Sequence, residues 1–236
     1  MKYFVYISDT KLDMLAGQLD PKILRRMARE LKVDLKVVSL TLKDDPQDDT
    51  RYSKLRVVER CLQKDDEVGT ISSPAKWFGG SESLAWGTVG TQGEVVYFTN
   101  IVSGTLLGLT GSGYHLIGGT YYGKGSSWVD TDRERYAPGG SFMRTVVEHE
   151  MANHLGVAEE GEEIRFKMTT EAVVGTMLQI HDRLGGHAER LDFVAKTLLD
   201  VSVSETPGLV NDYYLGRLPP FDRILLGTPL YVAMAV

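Results

Sequence analysis

Two short segments carry residues whose types and spacing suit chemistry. The first is Ser8-Asp9-Thr10-Lys11, which follows the apolar run Tyr3-Phe4-Val5-Tyr6-Ile7. That run reads as a strand covered on both faces, so Ser8, Asp9 and Lys11 fall at its carboxyl end, where open α/β sheets hold their ligands. The alternative is a turn with a surface ion pair. Ser8 and Lys11 also match the Ser-x-x-Lys pair of penicillin-recognising enzymes. That reading is rejected, because the Ser-Asp-Asn and Lys-Thr-Gly partners are missing. The second segment is Gly111-Ser112-Gly113-Tyr114-His115, in which Ser112 and His115 have the types of a nucleophile and its base, with Asp9 as a carboxylate to complete the set. No Gly-x-Ser-x-Gly elbow accompanies them. Glycines at this density also suit tight turns and close backbone approach, so a structural hairpin or a ligand-contacting turn competes with catalysis.

Two further motifs fail on geometry. Gly118 to Ser126 approaches a phosphate loop and supplies Lys124, but Gly125 stands where the magnesium-binding hydroxyl belongs and no strong helix follows at once. A glycine-rich loop whose lysine touches an anion is the reading kept, beside that of a plain surface loop. His149-Glu150-Met151-Ala152-Asn153-His154 resembles a zinc-protease helix, yet histidines five apart diverge by roughly 140° around a helix. No metal set is assigned. Glu150 and His154 read better as a solvated helix pair.

The chain has 236 residues, 42% hydrophobic and 25% charged, a balance that supports a buried core. Its net charge of -6 argues against a nucleic-acid surface, which needs clustered Lys and Arg in excess. Cys61 is the single cysteine and falls on the apolar register of a helix, so no internal disulfide or cysteine-rich zinc site is expected. The start of the chain lacks the layout of a signal peptide. No apolar run reaches the ~20 residues that span a bilayer. A cytoplasmic protein without membrane contact is therefore expected.

These segments must be positioned by a mixed set of elements. A helix is expected from Pro21 on Ile23, Leu24, Met27 and Leu31, with Asp20 as N-cap. A second strand over Val33 to Leu42 would then make a right-handed βαβ unit with parallel strands. Thr50 is placed as the cap of a helix bearing Leu55, Val58 and Leu62 that closes near Lys64. From Leu84 the pattern becomes an antiparallel meander, with strands at Leu84–Val89, Val95–Phe98, Leu106–Leu109 and Tyr114–Ile117. A long glycine-rich loop occupies 118–140. Helices follow from Ser141 to Leu155, from Thr170 to Leu184 with His181 on its stripe, and after Gly185-Gly186 on Leu191, Val194, Ala195 and Leu198. His187 falls at the start of that last helix, and neither histidine has a readable partner. A final strand spans Ile224 to Ala233. Trp77, Phe78 and Trp86 read as core aromatics.

Lys2 to Leu15, Val95-Val96-Tyr97-Phe98, Leu109 to Gly118 and Gly227 to Ala233 together resemble an uncharacterised family of bacterial proteins of about this length, a domain of unknown function. The resemblance implies one integrated unit and transfers no catalytic residue. The expectation is thus a single α+β domain over 1–236, in which the βαβ unit continues into the meander and helices, including a C-terminal set, cover the sheet. The first functional expectation is a non-catalytic binding or sensory protein for a small polar or phosphorylated molecule. Its contacts would be Ser8, Asp9, Lys11, Gly111, Ser112, Gly113, His115 and Lys124. The alternatives are a hydrolase or transferase using Ser112 and His115, and a structural subunit of a larger assembly, with a homo-oligomer as one form. The sequence names no cofactor.

Overall fold

The computed structural model describes residues 2–31, 48–64, 67–89, 95–118, 170–204, 210 and 217–235. Among them are four α-helices and seven strands. The strands are β1 (Tyr3–Ile7), β2 (Val68–Gly69), β3 (Trp77–Val89), β4 (Val95–Val102), β5 (Thr105–Ser112), β6 (Ala188–Ser202) and β7 (Arg223–Met234). The helices are α1 (Asp9–Gln18), α2 (Pro21–Glu30), α3 (Asp48–Lys64) and α4 (Thr170–Leu184), and a 3-10 turn, Gly113–His115, follows β5. The protein is mixed α+β, and five of its strands close into a barrel.

The closure is explicit in the pairing. β3 pairs with β4, β4 with β5, β5 with β7, β7 with β6, and β6 returns to β3. All of these pairs are antiparallel except β5 with β7. Strand alternation then divides the side chains. Phe78, Leu84, Val96, Phe98, Leu107, Leu109, Leu191, Phe193 and Leu225 form one buried cluster, which fills the barrel. Gly227 lies under the edge of the Phe78 ring, where an added Cβ would come within 2.7 Å. The intervening residues face outward. Tyr97, Leu106, Ile224 and Leu226 pack against α4, whereas Trp77, Val194, Leu230 and Tyr231 pack against α1 and α3. α2 rests on α3 through Met27, Val57 and the buried Cys61.

Among the described residues β1 has no parallel partner. Its described neighbour is β7, antiparallel from Tyr3↔Met234 to Ile7↔Tyr231. The strand expected at Val33 to Leu42 lies outside the described residues, as do the helix expected at Ser141 to Leu155 and most of the 118–140 loop. The expected helix at 50–64 begins two residues earlier, at Asp48. Two assignments are corrected. The segment after Gly185-Gly186 is strand β6, because Leu191, Phe193 and Ala195 share the barrel interior at a spacing of two, which overrides the helical spacing of Leu191, Val194 and Leu198. Tyr114–Ile117 is not a strand: Tyr114 and His115 end a 3-10 turn, and the segment is tied to β1 by a Tyr6↔Leu116 bridge and an Ile117 N–H to Val5 carbonyl bond of 2.9 Å. Trp77 and Phe78 are buried. Trp86 is instead 37% exposed, stacked on Phe98 and donating its Nε1–H to Glu189 at 3.1 Å.

His181 shows how α4 is attached. It is buried, and the Thr99 hydroxyl already donates to the Leu107 carbonyl at 2.9 Å, so it accepts from His181 Nδ1–H at 3.2 Å. Burial holds the imidazole below its ordinary pKa, with Asp182 opposing weakly. The unfolded chain therefore takes up this proton first as pH falls below about 6.5, so acid removes stability. Urea midpoints measured at pH 7.5 and pH 5.5 should fall more in the wild type than in a His181→Gln variant. Equal falls would exclude His181 as the source.

Candidate functional site at the start of the first helix

β1 delivers Ser8 to the N-terminus of α1. Ser8 is buried with extended backbone, and its Oγ caps the helix by accepting from the Lys11 N–H at 3.5 Å. A polar residue in that conformation suits an N-cap, because it satisfies a donor that the first turn leaves open. The four-residue cluster that reads as a turn is thus the opening of a helix. The same Ser8 oxygen accepts from Lys11 Nζ at 3.4 Å. Burial, assisted by the charge of Lys196 on β6, lowers the Lys11 pKa from 10.5 to about 8.

The carboxylates beside this pair are held elsewhere. Asp9 and Asp13 lie four apart on α1, so they share a face. α3 presents Arg51 and Lys54, three apart, to that face. Arg51 binds Asp9 at 2.6 Å and the buried Lys54 binds Asp13 at 2.6 Å. Among the described residues no carboxylate pairs with Lys11 or Lys196.

The second segment arrives from β5. Ser112 Oγ accepts from the Tyr114 N–H at 3.3 Å and caps the 3-10 turn, in which Gly113 is buried. His115, its side chain 10% exposed, places Nδ1 3.7 Å from Asp9 Oδ2, beyond hydrogen-bond reach. That nitrogen has no hydrogen-bond partner, nor does the buried Nε of Arg51. Tyr6 lies between the two segments. Its ring meets His115 edge-on at 5.9 Å and Phe98 at 6.4 Å, and its hydroxyl fills the space a Gly111 side chain would need. Burial pushes that hydroxyl far above its ordinary pKa, opposed by the Ser8 side chain and the Ser112 backbone.

Of the residues singled out from sequence, the structure therefore groups Ser8, Asp9, Lys11, Gly111, Ser112, Gly113 and His115 around the β1–α1 junction. Lys124 lies outside the described residues. No hydrogen bond joins Ser112 to His115. Ser8 is also poorly suited to acyl transfer, since its own N–H, the natural oxyanion donor, is spent on the Leu230 carbonyl at 2.9 Å. Tyr6, Arg51, Lys54 and Lys196 escape sequence reasoning, although the matched spacings of Asp9/Asp13 and Arg51/Lys54 carry a signal. Among the described residues, no three His, Cys, Asp or Glu side chains gather to hold a metal. A shallow hollow of about 360 Å³ lined by Asp200, Ser202, Asp222 and Arg223 lies elsewhere, and there Asp200 engages Arg223 at 2.7 and 2.6 Å.

The chain is thus a mixed α+β protein built on a closed five-strand barrel with helices packed outside. Residues 2–236 match the model of DUF7019, a family of unknown function, and the chain belongs to that family. No curated protein and no solved structure matches the chain. No helix among the described residues is long and apolar enough to cross a membrane.

Proposed function

We propose that the protein is a non-catalytic binding protein for a small anionic molecule, such as a phosphorylated metabolite, held at the β1–α1 junction. The observation that carries this reading is the surplus of cationic donors. Asp9 and Asp13 are taken by Arg51 and Lys54, while among the described residues Lys11 and the nearby Lys196 have no carboxylate. Like charges kept near one another, one of them partly buried, favour a bound anion, which relieves their repulsion. The start of α1 adds a dipole of the matching sign. His115 offers a further ring nitrogen without a partner. The hydrolase or transferase reading built on Ser112 and His115 ranks below this one, because the serine lacks a bond to its base.

Thermal denaturation in rising inorganic phosphate, pyrophosphate and nucleotide tests the proposal. An anion at a hundred times its Kd adds about 2.7 kcal/mol, which for a chain of this size raises Tm by roughly 5–10 °C. The Lys11→Ala, Lys196→Ala double variant should lose that rise. A rise kept in full by the double variant, or no rise with any of the three, would sink the reading.

A further inference from the structure

The Lys11 amine has a position that anion binding alone does not require. A lysine that serves as a point charge does best ionised and solvated or paired. Lys11 is instead partly buried, hydrogen-bonded through Nζ to a hydroxyl rather than a carboxylate, and placed near a second lysine. Among the described residues, the charged groups around it all disfavour its ammonium or ignore it. Asp9 and Asp13 on its own helix are neutralised by Arg51 and Lys54 of α3, and Lys196 of β6 repels it. Ser8 is the neutral partner that serves either protonation state, accepting from the ammonium or donating to the free amine.

We propose that Lys11 is a nucleophilic amine that forms a reversible imine with an aldehyde or ketone carrying an anionic group, with Ser8 positioning Nζ. This rests on the anion-binding reading and names the ligand class for that site. The lone pair of neutral Nζ adds to the carbonyl carbon, and the carbonyl π pair moves to oxygen, which takes a proton. The nitrogen then gives up a proton, the hydroxyl is protonated and leaves as water while the nitrogen lone pair forms the C=N bond, and loss of the second N–H proton leaves the neutral imine. Amine and carbonyl thus become imine and water, with no change in oxidation state. A desolvated lysine beside another cation holds the free amine needed near neutral pH, and its pKa of about 8 leaves a substantial neutral fraction there. Lys196 supplies a charge for the anionic group once Lys11 has become an imine.

The test uses the full chain with pyridoxal phosphate as the carbonyl probe, borohydride to fix any imine, and peptide mapping to locate it. The expected result is a reduced adduct predominantly on Lys11, with a labelling rate half-maximal near pH 8. Lys196→Met should move that midpoint upward, and Ser8→Ala should slow labelling at least several-fold. Lys11→Arg should abolish the adduct, because a guanidinium forms no imine under these conditions. Phosphate stabilisation with labelling spread over the exposed lysines overturns the imine and leaves the anion site standing. A Lys11 adduct whose rate climbs past pH 10 like that of an ordinary lysine also overturns it. Loss of both phosphate stabilisation and the adduct overturns both readings.

Discussion

Phe98→Ala should lower the unfolding free energy by about 3–5 kcal/mol, the range for removing a large buried aromatic side chain. Phe98 is fully buried in the barrel interior, edge-on to Tyr6 at 6.4 Å and stacked with Trp86 at 5.9 Å. The barrel wall is a closed hydrogen-bonded ring, so it has little freedom to collapse into the space left behind. Because a domain is stable by about 5–15 kcal/mol in total, the variant should unfold at a much lower urea concentration. Its denaturant slope should be unchanged, which marks lost stability rather than a changed denatured state. Trp86→Ala, at the exposed edge of the same stack, should cost clearly less. A Phe98→Ala loss below about 1 kcal/mol would be incompatible with a filled barrel.

The second large effect concerns pH. Lys11 binds its proton less tightly in the folded chain, with a pKa of about 8, than in the unfolded chain, at 10.5. Between these values the unfolded chain holds more protons, so stability rises with pH across this window. At about 1.4 kcal/mol per tenfold change in proton affinity, the full rise approaches about 3 kcal/mol. Lys11→Met removes the titrating group and keeps most of the packing of the stem. The difference in unfolding free energy between wild type and variant, followed from pH 7 to pH 11, should therefore shift by up to that amount in favour of the wild type. Tyrosines and other lysines titrate in the same window but are common to both proteins and cancel. A difference that stays flat with pH would show that the amine is solvated and would also remove the physical basis for its reactivity.

Much of the fold is legible in local pattern. β1, α2, α4 and β7 follow from apolar periodicity and capping residues, and the Asp20 cap with Pro21 at the first helical position occurs as expected. β6 is not legible in the same way. Its apolar residues fit spacings of both two and about three and a half, and only pairing with β3 over nine residue pairs and with β7 over eleven decides between them. The closed ring is equally hidden, since it depends on β6 joining β3 to β7. The site was legible in part. Ser8, Asp9, Lys11 and His115 stand out by type, but the cap made by Ser8 looks like a turn until the following helix is known. The partners that remove Asp9 from Lys11 lie some forty residues away on α3. Their pairing is a property of two helix faces meeting.

The central place of β7 bears on how the chain is made. This one strand pairs with β1, β5 and β6. During synthesis from the amino end, β1 leaves the ribosome more than two hundred residues before its partner, and the ring stays open until residues 223–234 emerge. Contacts so distant in sequence pay the full loop-closure cost before they are rewarded. The nascent chain therefore carries unpaired strand edges for most of its translation, and their protection falls to the helices around them or to chaperones.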